Sequence, residues 1–130
     1  MQTFAAKGYQ AAKLDFLTER NCLLGDSMAQ DFKLEAERHA YACCPEESCG
    51  LVVNDSYFPC RNIAPKPREN FVIDPVDYAR AMYFGSIEGV VHSHPKGTPI
   101  SDHDRDACKQ TKIPWYVYSV PDQQWLTIEP

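Results

Sequence analysis

The chain has 130 residues, a formal net charge of −5, 44% hydrophobic and 24% charged residues, which suits one domain burying about two-thirds of its unfolded surface without staples. The acidic balance excludes a nucleic-acid backbone as the expected partner, since that would call for a basic face, and no run of about 18 apolar residues offers a membrane span. The six cysteines, Cys22, Cys43, Cys44, Cys49, Cys60 and Cys108, contain no C-x-x-C pair, and the N-terminus lacks the apolar core of a signal peptide, so reduced thiols in a cytoplasmic setting are expected.

In chain order, residues 1–26 read as an N-terminal extension, with at most a short helix around Leu14 and Leu17. Residues 27–130 read as one domain. Ser27 opens a helix over 28–43, with Met28, Phe32, Ala36, Ala40 and Cys43 forming one apolar stripe. Asp31, Lys33, Glu35, Glu37 and Arg38 form its wet face, and His39 is structural. Pro45 stops this helix by driving the residue before it out of the α region. Glu46 and Glu47 precede a strand over 48–53, and Asn54-Asp55-Ser56 turns the chain into a second strand over 57–63.

A polar loop over 65–70 follows, then Phe71-Val72-Ile73, and then Asp74-Pro75, a helix start with the aspartate as cap and proline in the first position. Val76, Ala79, Met82 and Tyr83 are the expected inward face, and Gly85 ends the helix. A strand over 87–91 runs into Val90-Val91-His92-Ser93-His94-Pro95; a third helix covers 102–111, and the branched and aromatic segments 115–120 and 125–128 form a terminal hairpin.

The chemistry concentrates where the strand over 87–91 ends. Alternation puts His92 and His94 on one strand face, roughly 7 Å apart along the chain. Pro95 has no backbone donor to continue the ladder, and Ser101 begins a helix with Asp104 three residues on. Two imidazoles and a carboxylate form a donor set suited to zinc, leaving a fourth tetrahedral position for water, as in a catalytic site. The spacing alone leaves other readings open. The histidines could be hydrogen-bonded core residues, Ser101-x-x-Asp104 a capping box, and Glu46 and Glu47 solvated loop carboxylates. Asp102 and Asp106 are poor substitutes for Asp104, because each points about 200° away from it on a helix.

Glu47-Ser48-Cys49-Gly50, His92-Ser93-His94-Pro95 and Ser101-x-x-Asp104 together resemble the JAMM (MPN-plus) zinc metallopeptidases. The resemblance implies an α+β fold of the JAMM, cytidine-deaminase-like kind: a central mixed sheet flanked by helices, with the zinc site at the end of a central strand. It implies His92, His94 and Asp104 as ligands of one zinc ion with a catalytic water, Glu47 as general base, and Ser101 as a polar stabiliser. Lys96 to Ile100 is five residues where the family has six between the proline and the serine, which bears on where Asp104 falls.

Arg61-Asn62-Ile63-Ala64-Pro65, the segment Phe71 to Tyr78, and Trp115-Tyr116-Val117-Tyr118-Ser119 resemble a narrower group, the JAMM portion of phage tail assembly K proteins. That resemblance implies hydrolysis of an amide or isopeptide bond in phage or prophage tail assembly. The implied location is the host cytoplasm or the virion tail. The implied partners are a peptide or protein substrate and other tail proteins, with no nucleic acid and no membrane. The rival readings are a non-catalytic tail or scaffold subunit that keeps the fold, and an isopeptidase for sulfur-carrier or ubiquitin-like proteins.

Overall fold

The computed structural model describes residues 31–130. The expected extension over 1–26, its short helix and the Ser27 start of the first helix lie outside the described residues. The elements run α1 (Asp31–Cys43), β1 (Cys49–Val53), β2 (Ser56–Cys60), α2 (Pro75–Phe84), β3 (Ile87–His94), α3 (Asp102–Thr111), β4 (Trp115–Ser119) and β5 (Gln124–Ile128). The strands form one sheet in the order β2-β1-β3-β4-β5. β3 and β4 are parallel and every other pair is antiparallel, so the fold is α+β with a mixed sheet, as expected. No helix among the described residues is long and apolar enough to cross a membrane.

Local chemistry explains the joints. Asn54 and Asp55 have φ of 53° and 62° between the paired Val53 and Ser56, the two positive-φ positions of a type I′ hairpin turn, which these residue types tolerate. A parallel pair needs a crossover connection, and α3 supplies it between β3 and β4. That topology leaves the carboxyl end of β3 facing the start of α3, the kind of place where open sheets bind ligands.

Strand alternation divides the core between two faces. Phe32 and Ala36 of α1 pack with Val52, Tyr57 and Val91 on one. On the other, Leu51, Val53, Val90, Trp115 and Val117 meet Ala81 of α2 and Cys108 of α3. His92 and His94 are in phase with Val90 and so emerge on the α2/α3 face.

Three expectations need correction. Glu35 is not on the wet face of α1: it is only 2% exposed. The second strand stops at Cys60, because the Arg61 N–H donates to Asp77 Oδ2 at 2.8 Å instead of continuing the ladder, leaving a lone Asn62–Ile73 bridge beyond it. In α2, Val76, Met82 and Tyr83 are 56%, 58% and 88% exposed, Ala79 is exposed, and the buried residues are Asp77 and Ala81. The helix is rotated by polar anchors. Asp74 pairs with Arg61 and accepts from Val76 N–H, and Asp77 accepts from Arg61, so the Asp77–Ala81 line faces the sheet and the apolar stripe faces out.

Candidate metal centre

Register brings the acid to the histidines. β1 pairs antiparallel with β3 so that Cys49 lies opposite His92, and extending that register by two places sets Glu47 opposite His94, on the same face. The extension is held by two bonds: the Ser93 N–H donates to the Ser48 carbonyl at 3.0 Å, and the Ser48 N–H donates to Ser93 Oγ at 2.8 Å. The serine between the two histidines points to the opposite face and ties down the segment that carries Glu47. Glu47 is 6% exposed, so it is no solvated loop carboxylate.

From the other side, α3 delivers Asp104. Ser101 is its N-cap, with Oγ accepting from the Asp104 N–H at 3.0 Å, which fixes the first turn. The five-residue loop still brings Asp104 to the pair: Oδ2 lies 3.5 Å from His92 Nε2 and 3.3 Å from His94 Nε2, and the two Nε2 atoms are 3.2 Å apart. Asp102, His103 and Asp106 are exposed.

These three distances allow a test of fit. Tetrahedral zinc with bonds of about 2.0–2.1 Å has ligand–ligand edges of about 3.3–3.4 Å, and the His92–His94–Asp104 triangle has edges of that length. The tautomer also fits. His94 Nδ1 donates to the Thr98 carbonyl at 2.7 Å, so the neutral ring keeps its lone pair on Nε2, the usual arrangement for a ligating histidine. A Glu47 carboxylate oxygen lies within 4.8 Å of ring nitrogens of both histidines.

His92 is held differently. Its ring stacks on Phe71 at 4.4 Å between centroids with Trp115 edge-on at 5.6 Å, and its Nδ1 is buried with no partner among the described residues.

The electrostatics follow from burial and proximity. Burial, with Asp104 adding and His94 opposing, pushes the Glu47 carboxyl up to about 7. Burial also lowers His92. For Asp104 burial acts upward, but the two imidazoles outweigh it and hold the carboxyl well below its ordinary range. In His94 burial acts downward, and Asp104, the Thr98 carbonyl and Glu47 outweigh it, so the ring is raised. Two carboxylates beside the same imidazoles thus have opposite protonation tendencies, the pattern that separates acid–base groups from permanent charges.

Cys49 has no such setting. It is buried, its thiol donates to the Cys60 carbonyl, and burial raises it far above the reactive range. All cysteines among the described residues are free. Phe71, Thr98, Ser93 and Asn62 are the site's supporting residues that pattern reading did not single out. Ser93 carried a signal as part of the His92-Ser93-His94-Pro95 motif, and Asn62 and Phe71 as members of segments matching the narrower group, whereas Thr98 carried none.

Comparison with known proteins bears on the family and the fold. A family profile described as prokaryotic homologs of the JAB domain matches residues 30–127. The tail tip assembly protein K of Escherichia phage N15 is 42% identical over 97 residues, which is 71% of this chain and 40% of that protein, so the chain spans less than half of that relative's length. A solution structure of protein DSY2949 from Desulfitobacterium hafniense superposes with a TM-score of 0.60 at 23% identity, covering 74% of this chain and 76% of that one; it speaks for the fold alone. The expected resemblance to JAMM domains and to phage tail assembly protein K is borne out.

Proposed function

The chain belongs to the Prok-JAB family, the prokaryotic homologs of the JAB domain, and on that premise we propose that it is a zinc-dependent metallopeptidase hydrolysing an amide or isopeptide bond during phage or prophage tail assembly. The observation that carries the reading is the triangle of His92 Nε2, His94 Nε2 and Asp104 Oδ2, with edges of 3.2, 3.3 and 3.5 Å, beside the buried Glu47 carboxylate. The tail setting rests on the relation to tail tip assembly protein K of phage N15.

His92, His94 and Asp104 would hold the ion, and a bound zinc would supply a Lewis acid and a water acidified to a pKa near 7. Glu47, with a pKa near neutrality, accepts the proton of the attacking water and returns it to the leaving amine. Ser101 holds Asp104 through its oxygen and keeps its hydroxyl hydrogen free to donate to the oxygen on which charge develops; one such donor is worth about 3 kcal/mol in comparable sites. Phe71 and Trp115 wall off His92 and exclude water from that side. The partners are a peptide or protein substrate and other tail proteins.

The test is metal content by mass spectrometry on untagged protein, joined to hydrolysis of a peptide and isopeptide panel. About one zinc per chain is expected in the wild type and none in Asp104→Ala or His92→Ala/His94→Ala. Glu47→Gln is expected to keep the zinc and lose about 10²–10⁴-fold in rate. Wild type without zinc, or zinc-loaded protein with no Glu47-dependent hydrolysis, overturns the reading in favour of a non-catalytic tail subunit.

A further inference from the structure

The geometry points to Asn62 as the positioning residue of this site: one carboxamide sets both the depth of Glu47 and the seat of Phe71 against His92, without touching the reacting atoms. Its Nδ2 donates to the carbonyl oxygens of Glu47 and Asn70, each at 3.0 Å, and more distantly to Pro67 at 3.4 Å. Its Oδ1 accepts from the N–H groups of Ala64 and Val72, both at 3.0 Å. The side chain's full hydrogen-bonding capacity is therefore spent on the main chain of three segments: the turn carrying Glu47, the polar loop after β2, and the stretch carrying Phe71.

Backbone bonds converge on the same joint. The Glu47 N–H donates to the Pro67 carbonyl at 2.8 Å, and the Ile63 N–H donates to the Val72 carbonyl at 2.9 Å. Glu47 is thus tied on both its N–H and its C=O to a loop that has no strand or helix of its own and that Asn62 closes. On the far side of that loop Phe71 stacks on His92. Among the described residues no other side chain is hydrogen-bonded both to the Glu47 main chain and to the peptide groups that flank Phe71, so releasing Asn62 uncouples Glu47 and Phe71 together. The inference deepens the proposed function and rests on it for the catalytic consequence, while the geometric claim has its own readouts.

Asn62→Asp is the discriminating variant, because it retains an acceptor for Ala64 and Val72 but turns the donor into a carboxylate oxygen facing three carbonyls. Nuclear magnetic resonance and amide hydrogen exchange on the full chain read the outcome. The expected result is at least about tenfold faster exchange at the Glu47 amide and loss of the Phe71 ring-current shift on the His92 ring protons, with Leu51 and Val90 amides unchanged. On a substrate cleaved by the wild type, kcat is expected to fall about a hundredfold with KM within about twofold and zinc content kept.

Unchanged Glu47 exchange and an unchanged His92 ring-current shift overturn the proposal, as does a loss of global stability with neither of these local changes. Asn62→Ser is the milder companion variant, and unfolding of both would also overturn it by making Asn62 a general support of the fold. Wild type that neither binds zinc nor cleaves anything removes the functional reading alone, since the exchange and ring-current results still decide the positioning claim.

Discussion

Gly50 has no side chain because Tyr57 occupies the place of one. A Cβ there would lie 2.4 Å from Cε1 and 2.5 Å from the hydroxyl oxygen of Tyr57, a ring that is fully buried and tied by its hydroxyl to the Cys49 carbonyl and to His39. Gly50→Ala is expected to cost about 1–3 kcal/mol of stability through overpacking, read as a lower urea midpoint. His39 shows the other side of the same contact. Burial lowers its pKa from 6.5 to about 4, so as pH falls the unfolded chain takes up this proton first. The stability from neutral His39 is complete above pH 6.5 and is lost progressively towards pH 4. The stability difference between wild type and His39→Gln is therefore expected to narrow across that interval in denaturant titrations. A constant difference would show that the ring is not held neutral.

At the scale of elements, α3 works through its first turn. Ser101 caps it, and Asp104 is both the residue whose N–H is capped and the carboxylate that faces the histidines. Ser101→Ala is expected to lower stability by about 1 kcal/mol, and Ser101→Asn to keep most of it, as measured by thermal melts. β3 contributes through its phase: His92 and His94 face α2 and α3, while Ser93 faces away and binds the Ser48 N–H. α2 is positioned by Arg61 through Asp74 and Asp77, which turns Val76, Met82 and Tyr83 outward.

Across the whole molecule, the site joins the chain's distant parts: Glu47 before β1, the histidines at the end of β3, Asp104 on α3 and Phe71 from the loop before α2. An ion held by His92, His94 and Asp104 would link β3 to α3, and binding to the folded state alone stabilises it by about 2.7 kcal/mol at a hundredfold excess over Kd. Chelation is therefore expected to lower the Tm of zinc-loaded wild type and added zinc to restore it, with no zinc response in Asp104→Ala, as read by calorimetry.

The sequence by itself determined the element order and the mixed α+β class, because alternation, helical stripes, Pro45, Asn54-Asp55 and Asp74-Pro75 are local signals with local causes. It also offered His92, His94 and Asp104 as a donor set, since the two histidines share a strand face and Ser101 to Asp104 is one helical turn, while Glu47 joined them only through the resemblance to the JAMM family. Only the tertiary structure decided which way α2 faces, because its rotation is set by the Asp74–Arg61 ion pair and the bond from the Arg61 backbone N–H to Asp77, whereas its own stripe of Val76, Ala79, Met82 and Tyr83 points elsewhere. The burial of Glu47, its register opposite His94 and the Asn62 joint were equally out of reach of pattern reading. Each depends on at least one partner 15 or more positions away, and periodicity reports only on neighbours within a turn or a pleat.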